Sequence, residues 1–557
     1  MKKLLTVILL FVSVGCVGQS PEWIWAKKSS GNSIDYGYSI ATDANGNSYV
    51  TGAFASSTVI FDSEILTSEG FGDVLIAKYD TWGNVVWAKS GGGPGAEEAF
   101  GICVDANHNS YITGYFYGAS ITFGDTTLIN SGNEADLFVV KYDDFGNVVW
   151  ARSAGQADYP DFGTSISIDK KGNVLVTGCF KSRILNFGND VISCNDIWDM
   201  LVLKYDATGN EIWARSAGGD NPDFGQGIST DANGNCYITG MFNSSSITFG
   251  NTVLNNASGG ATDFFIAKYD SLGNAIWARQ AGSFGGDQGY SISTDAIGNS
   301  YVTGRFTSSA IAFGNTTLIN AGVSWDDIFV VKYDSAGNVV WAKRAGGIYG
   351  DYGMNICTDG HNNCYVTGQY ESPTISFDNY TFTNNDSPGN YNVFVAKYDS
   401  IGNVIYALDA GGGDTENGYG ISLDAAGNAY VTGSFNSLSI DFGNINLTGG
   451  NDLFIAKIGE SGTGINEVVD KNDIHIYPNP ATTTLTLSTE QTLKNAELKI
   501  MNAIGQEVSH PLSRGECASL SAGKGCVLDI SSLPPGLYYL TLQSEEGVAT
   551  KKFEVIR

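Results

Sequence analysis

The chain has 557 residues, 71 of them glycine and only 11 proline, with 28 tyrosines, 28 phenylalanines and 10 tryptophans. Many short aromatic-rich segments between glycine-bearing turns exclude a disordered chain and predict an all-β protein. A formal net charge of −28 excludes nucleic acid and anionic membrane surfaces as partners, since both demand a positive face; cations, neutral glycans and basic proteins remain.

At the start, Lys2 and Lys3 precede the apolar run "LLTVILLFVSV". The run is too short for a bilayer, which takes about 20 residues, so residues 1–19 read as a cleaved export signal. Cleavage is expected near Gly18–Gln19; "SVGC" around Cys16 is a poor lipid-attachment box. No other segment reads as a membrane span.

From residue 20 to 460 one unit is copied seven times. The stretch "DANGNSYVTG" at Asp43 returns at Asp105, Asp169, Asp231, Asp295, Asp359 and Asp424, at intervals of 62 to 65 residues. An isoleucine stands three residues before each aspartate and a phenylalanine eighteen after. In the second copy "FGICVD" and "SYITGYF" predict one hairpin, "DLFVVKYD" and "NVVWARS" a second, and "ITFGDTTLI" a short excursion between them. Four strands per unit, apolar without strict alternation, predict sheets covered on both faces and stacked around an axis: a seven-bladed β-propeller. The seventh copy lacks its "GNVVWA" strand, and "SPEWIWAKK" near the N-terminus supplies one. Residues 22–28 are therefore expected to complete the last blade and close the ring.

Two readings of the repeated motif compete. Asp, Asn and Asn at alternate positions resemble the start of a calcium loop, but the required acid at position twelve is Phe54, and the third copy reads "DKKGN". Asn-Gly between strands instead suits a type I′ turn with two positive φ angles. His108 and His361 fall inside this turn.

Eight residues before each aspartate stands another acid: Asp35, Glu97, Asp161, Asp223, Asp287, Asp351 and Glu416. A glycine follows two residues later in every copy except at Ala99. At the start of the innermost strands these acids are candidates for a cation or ligand ring at the channel mouth, where mutual repulsion would demand screening. The competing expectation is architectural, each acid accepting backbone N–H bonds and fixing a loop to the next blade. A further series (Asp73, Asp136, Asp199, Asp263, Asp327 and Asp452, with Asn392 in the sixth copy) reads as a hydrogen-bonding turn position. Lysines five residues on are expected to pair with these or other acids. The tryptophans of "VVWA" are expected to fill inter-blade space, while Trp198 and Trp325, in departures from the repeat, are candidate exposed binding aromatics.

No nucleophile elbow, phosphate loop or histidine metal cluster occurs, so no catalytic or metal residue is assigned. The cysteines do not recur with the repeat and read as small buried residues; Cys517 with Cys526, and Cys179 with Cys194, are candidates for local bridges.

The recurring "D.NGN.YVTG.F" and "AKYD..GN" segments resemble the SBBP-type bacterial β-propeller repeat family of secreted proteins, which implies a propeller but no common activity. Residues 461–473 read as a linker, and 474–557 as a small β-sandwich. That last segment resembles the C-terminal sorting domain of type IX secretion substrates of Bacteroidota. The resemblance rests on Tyr477, Pro478, Asn479 and Pro480, on Gly536 and Tyr538 in "PPGLYYL", and on the basic end Lys551, Lys552 and Arg557. It implies the type IX machinery as partner and release or attachment outside the outer membrane.

The expected function is a secreted or cell-surface binding module with a glycan or protein ligand. Its competitors are a carboxylate-based hydrolase or lyase of extracellular polysaccharide, with or without calcium, and a structural adhesion component. No cofactor other than calcium is in play.

Overall fold

The computed structural model describes residues 21–156, 159–194, 197–257, 259–322, 324–460, 474–479, 481–489, 493–494, 497–502, 519–520, 526–531, 533–544 and 547–556. The signal segment and the linker lie outside these residues. The chain divides into two compact units at Glu460/Ser461, and all regular structure among the described residues is β.

In the first unit, each repeat forms an antiparallel four-stranded sheet. The first runs Asp35–Thr42, Ser48–Phe54, Asp73–Tyr79 and Val85–Gly92, from the inner edge outwards. Among the described residues there are seven such sheets, one of which also takes on the excursion hairpin Ser120–Ile129 of the next repeat. The middle strands are buried at every position in Ser48–Phe54 and Asp73–Tyr79. Their apolar runs do not alternate because a neighbouring sheet covers each face.

The last sheet is completed from the N-terminus. Pro21–Lys28 pairs antiparallel with Asp452–Glu460, placing Trp25 opposite Lys457, the register Trp87 holds to Lys78 within the first sheet. Lys28 Nζ donates to Asp452 Oδ2 at 2.5 Å, and Thr42 Oγ1 donates to the Leu423 carbonyl at 2.6 Å, tying the innermost strands of first and last sheets together.

The glycine two residues after six of the seven acids permits a close approach. A Cβ on Gly163 would lie 2.2 Å from Thr113 Oγ1 and one on Gly289 2.2 Å from Thr239 Oγ1, both on the preceding sheet. Those threonines are themselves buried and donate to carbonyls of their own third strand, as Thr113 does to Phe138 at 2.8 Å.

The repeated hairpin turn differs from the type I′ expectation. Gly46 N–H donates to the Asp43 carbonyl at 3.0 Å and Asp43 N–H to Asn47 at 2.9 Å. Only Gly46 in this loop has positive φ, +82°. This is a longer loop, a turn followed by a one-residue left-handed bulge. Asp43 Oδ1 accepts from the Asn45 and Asn47 N–H groups, both at 2.9 Å, and Oδ2 from the Asn47 side chain at 2.8 Å. His108 and Asn362 occupy the left-handed position in the second and sixth copies, with φ of 65° and 64°.

The second unit contains a sheet of Ile474–Tyr477, Thr484–Thr489 and Cys526–Asp529, and another of Glu497–Asn502, Gly536–Ser544 and Gly547–Val555. Leu485, Leu487, Ile500, Leu528 and Phe553 lie in its core. Tyr477, Pro478 and Asn479 are exposed; Tyr538 is buried and its hydroxyl donates to the Pro534 carbonyl at 2.9 Å. Gly536 opens the strand Gly536–Ser544, while Lys551, exposed, and Lys552 lie on the last strand. Pro480 and Arg557 fall outside the described residues. Cys526 is disulfide-bonded, and Cys517 falls outside the described residues. Cys103, Cys179, Cys236, Cys357 and Cys364 are free, and Cys194 Sγ approaches the Ser182 carbonyl at 3.3 Å, so the Cys179–Cys194 bridge does not form.

Candidate functional site

The seven acids Asp35, Glu97, Asp161, Asp223, Asp287, Asp351 and Glu416 are all fully buried. None lines the central cavity, and among the described residues no group of three or more His, Cys, Asp or Glu is placed to hold a metal. Five of them meet instead a serine twenty-one positions later in the same blade. Ser182, Ser244, Ser308 and Ser372 donate their hydroxyls to Asp161, Asp223, Asp287 and Asp351 at 2.5, 2.6, 2.6 and 2.7 Å. Ser437 makes the same bond to Glu416. Backbone N–H groups add to it, as from Lys181 and Ser182 to Asp161 Oδ1 at 3.0 and 3.2 Å. Such bonds favour the charged form, but loss of water outweighs them. Burial pushes Asp161 and Asp223 up to about 6, Asp35, Asp287, Asp351 and Glu416 to about 7, and Glu97, helped by nearby Asp73, to about 8. In the second copy Gly118 stands where the serine would be. This serine series was present in the sequence and is the signal that separates a loop clasp from a channel ring.

The other repeated polar positions are also internal braces. Asp73, Asp136 and Asp263 accept from the backbone N–H of Glu69, Ser131 and Ala257 at 2.9, 2.8 and 2.7 Å. The lysines turn toward the hairpin aspartates: Lys204 to Asp169 at 3.1 Å and Lys457 to Asp424 at 3.8 Å. They also lie over tyrosine rings of the second strand, Lys397 over Tyr365 at 4.6 Å. Each tryptophan of the repeated outer strand spans a junction. Trp87 Nε1 donates to the Asp144 carbonyl of the next sheet at 3.0 Å, and a Cβ on Gly146 would sit 3.0 Å from its ring. At the junction of the sixth and seventh sheets the ring is Tyr406. There a cavity of about 1110 Å³ opens, with Tyr380, His361 and Lys397 in its wall.

The repeat varies most along one face of the innermost strands. Along each innermost strand the acid and the isoleucine five positions later recur, and the glycine is replaced only at Ala99. The positions one and three after the acid vary freely. They read Tyr36, Glu98, Phe162, Phe224, Gln288, Tyr352 and Asn417, and Tyr38, Phe100, Thr164, Gln226, Tyr290, Met354 and Tyr419. The second set lines a central cavity of about 520 Å³ bounded by all seven innermost strands. The first set lies around its mouth, at the strands' starting end.

There the rings form a continuous arc across five sheets. Centroid separations are 5.5 Å from Tyr419 to Tyr38, 5.3 Å to Phe100, 5.6 Å to Tyr115, 4.8 Å to Phe162, 5.1 Å to Trp198 and 6.0 Å to Phe224. Phe162 and Trp198 stack with 17° between planes. All these rings are half-buried. Glu98 sits within the arc; burial holds its carboxyl above the usual range, opposed by the hydroxyls of Tyr115 and Tyr38. Across the mouth Arg305 lies over Tyr290 and Tyr352 at 5.9 and 5.5 Å and donates to Asp326 at 2.9 Å. Of the two aromatics singled out in the sequence, Trp198 belongs to the arc. Trp325, 46% exposed, meets only Tyr349 among ring contacts, at 5.9 Å.

Residues 475–556 match the family described as secretion system C-terminal sorting domain, and residues 24–53 match the beta-propeller repeat family. An uncharacterized WD repeat-containing protein of Acanthamoeba polyphaga mimivirus is 23% identical over 76% of this chain and 37% of its own length. The regulatory protein FlaEY of Caulobacter vibrioides is 23% identical over 54% of this chain and 33% of its own. The chain thus spans about a third of the length of these curated relatives. Among solved structures, the Neurospora crassa Pan2 WD40 domain aligns over 80% of this chain and 98% of that one at 9% identity, with a TM-score of 0.35. Sqt1 from Chaetomium thermophilum aligns over 78% and 100% at 7% identity, also with a TM-score of 0.35. This chain is an all-β propeller-repeat protein with a sorting domain for export to the cell surface or medium.

Proposed function

We propose that this exported chain works outside the cell as a binding module whose ligand rests on the mouth of the central cavity. One observation carries the reading: the freely varying positions of the innermost strands gather on that face, while the acid and isoleucine on either side of them recur in every copy. A ring held together by repetition needs no aromatic half-buried at its mouth. An arc of such rings beside a cavity with a few polar groups is the usual composition of a ligand site. A carboxylate-based hydrolase would instead use two acids facing one cleft, whereas the seven repeated acids are each buried in their own blade. No single residue is assigned to catalysis.

The test is a screen of glycans and matrix proteins against the mature chain and against Phe162→Ala and Trp198→Ala variants. A ligand lost with these variants, and kept by Trp82→Ala at an exposed hairpin turn remote from the mouth, supports the reading. The absence of any ligand, or ligands indifferent to the mouth variants, overturns it. Delivery depends on the second unit, whose sorting-domain match implies recognition by the type IX machinery.

A further inference from the structure

We infer that the ligand of this face is an uncharged polysaccharide chain, engaged along the aromatic arc by several successive sugar rings; the inference rests on the binding-module reading above. Three properties of the arc point to this chemistry.

The first is its form. Six ring-to-ring steps of 4.8 to 6.0 Å follow one another across five sheets. A compact ligand would cover one or two of these rings. A polymer of ring-sized units can occupy them in succession.

The second is the alternation of aromatic faces with neutral or hydrogen-bonding groups. Sugars present apolar C–H faces and a rim of hydroxyls. The half-buried rings of Phe162, Trp198 and Phe224, held rigid by packing on one another, suit the former, since burying apolar surface against a rigid ring gains energy with little side-chain ordering. Thr164 and Gln226 in the cavity wall suit the latter, as does Glu98 between Tyr38 and Tyr115.

The third is charge. The chain carries −28 overall and Glu98 stands inside the arc, so sulfated or uronic-acid polymers would be repelled. Across the mouth, Arg305 is already engaged with Asp326 at 2.9 Å.

The experiment is affinity electrophoresis of the mature chain through gels containing neutral β-glucan, mannan or xylan, with heparin and alginate gels alongside. Circular dichroism confirms that each variant is folded. At least one neutral polymer should retard the wild type. Trp198→Ala and Phe162→Ala should each weaken that retardation at least about tenfold, as expected for removal of a central aromatic anchor. Trp82→Ala, whose ring is exposed at a hairpin turn away from the arc, should not. No retardation by any neutral polymer, stronger retardation by the polyanions, or retardation unchanged in both arc variants would each overturn the inference. If a matrix protein is bound instead, and lost with the arc variants, the binding-module reading survives and the polysaccharide assignment alone falls. If neither class binds, both fall.

Discussion

Trp25 donates its indole N–H to the Thr81 carbonyl at 3.2 Å, across the junction between the last sheet and the first. Trp87, Trp150, Trp213, Trp277 and Trp341 make the equivalent bond at 3.0 to 3.3 Å, each to the turn of the following sheet. The strand that comes from the N-terminus therefore braces its junction by the same contact as strands made in sequence.

Trp25→Ala should consequently destabilise the propeller by about 2–4 kcal/mol, the range for losing a large packed aromatic. Removing residues 21–28 should cost more, because Asp452–Glu460 then loses its partner strand and Asp452 its lysine. Urea denaturation followed by tryptophan fluorescence measures both; a midpoint unchanged by the deletion would show that this strand does not hold the ring.

The seven buried acids predict a pH dependence of unusual sign. Their folded pKa values, about 6 to 8, lie above the ordinary carboxylate values of 3.8 and 4.5. The folded state then holds protons that the unfolded chain releases, so stability is fullest near pH 4 and declines as pH rises through about 8. The hairpin acids work oppositely. Although burial raises Asp43, bonds from Asn47 and His108 hold it below 3.8, so its contribution disappears on acidification below that value. Thermal melting between pH 3 and 9 should show a maximum in the mildly acidic range, and Asp223→Asn should flatten the decline on the alkaline side. A melting temperature rising steadily to pH 8 would contradict this.

Gly163→Ala should destabilise by about 1–3 kcal/mol, the cost of overpacking, because the new methyl would sit 2.2 Å from Thr113 Oγ1. The second sheet already accommodates Ala99 at this position, fully buried. Ala99→Gly should therefore change stability far less, and comparing the two melting temperatures checks the close-approach argument.

Calcium should leave the melting temperature of the mature chain unchanged, and a chelator likewise. In the repeated loop both Asp43 oxygens are taken by Asn45 and Asn47 of the same turn, which leaves that site no ligand set to offer. A rise of several degrees in millimolar calcium would locate a cation site elsewhere in the ring.

The blade unit was legible because its register repeats: the strands begin at the acids and end at the aromatics that the intervals align. The Asn-Gly pair misled on turn type, since the same dipeptide serves a two-residue turn or a bulged longer loop, and only the position of Gly46 relative to the bonded Asp43 carbonyl separates them. The acid series was visible while its orientation was not. The sequence left open a channel ring or a loop clasp, and Ser182, Ser244 and their equivalents bond the carboxylates within the blade. The arc was nearly invisible for the opposite reason. Its residues share no pattern across the copies, and only the fold places Tyr38 and Phe162 on one arc.

The junction beside Tyr406 is braced from the other side. Six tryptophan indoles are bonded from one sheet to the turn of the next; here the bond runs the opposite way, Trp23 Nε1 donating to the Asp409 carbonyl at 3.3 Å. Pro21–Lys28 therefore reaches both neighbours of the sheet it completes, Trp25 towards the first sheet and Trp23 towards the sixth. One strand fastens two seams at once, so releasing it would loosen the hoop on either side of the last sheet.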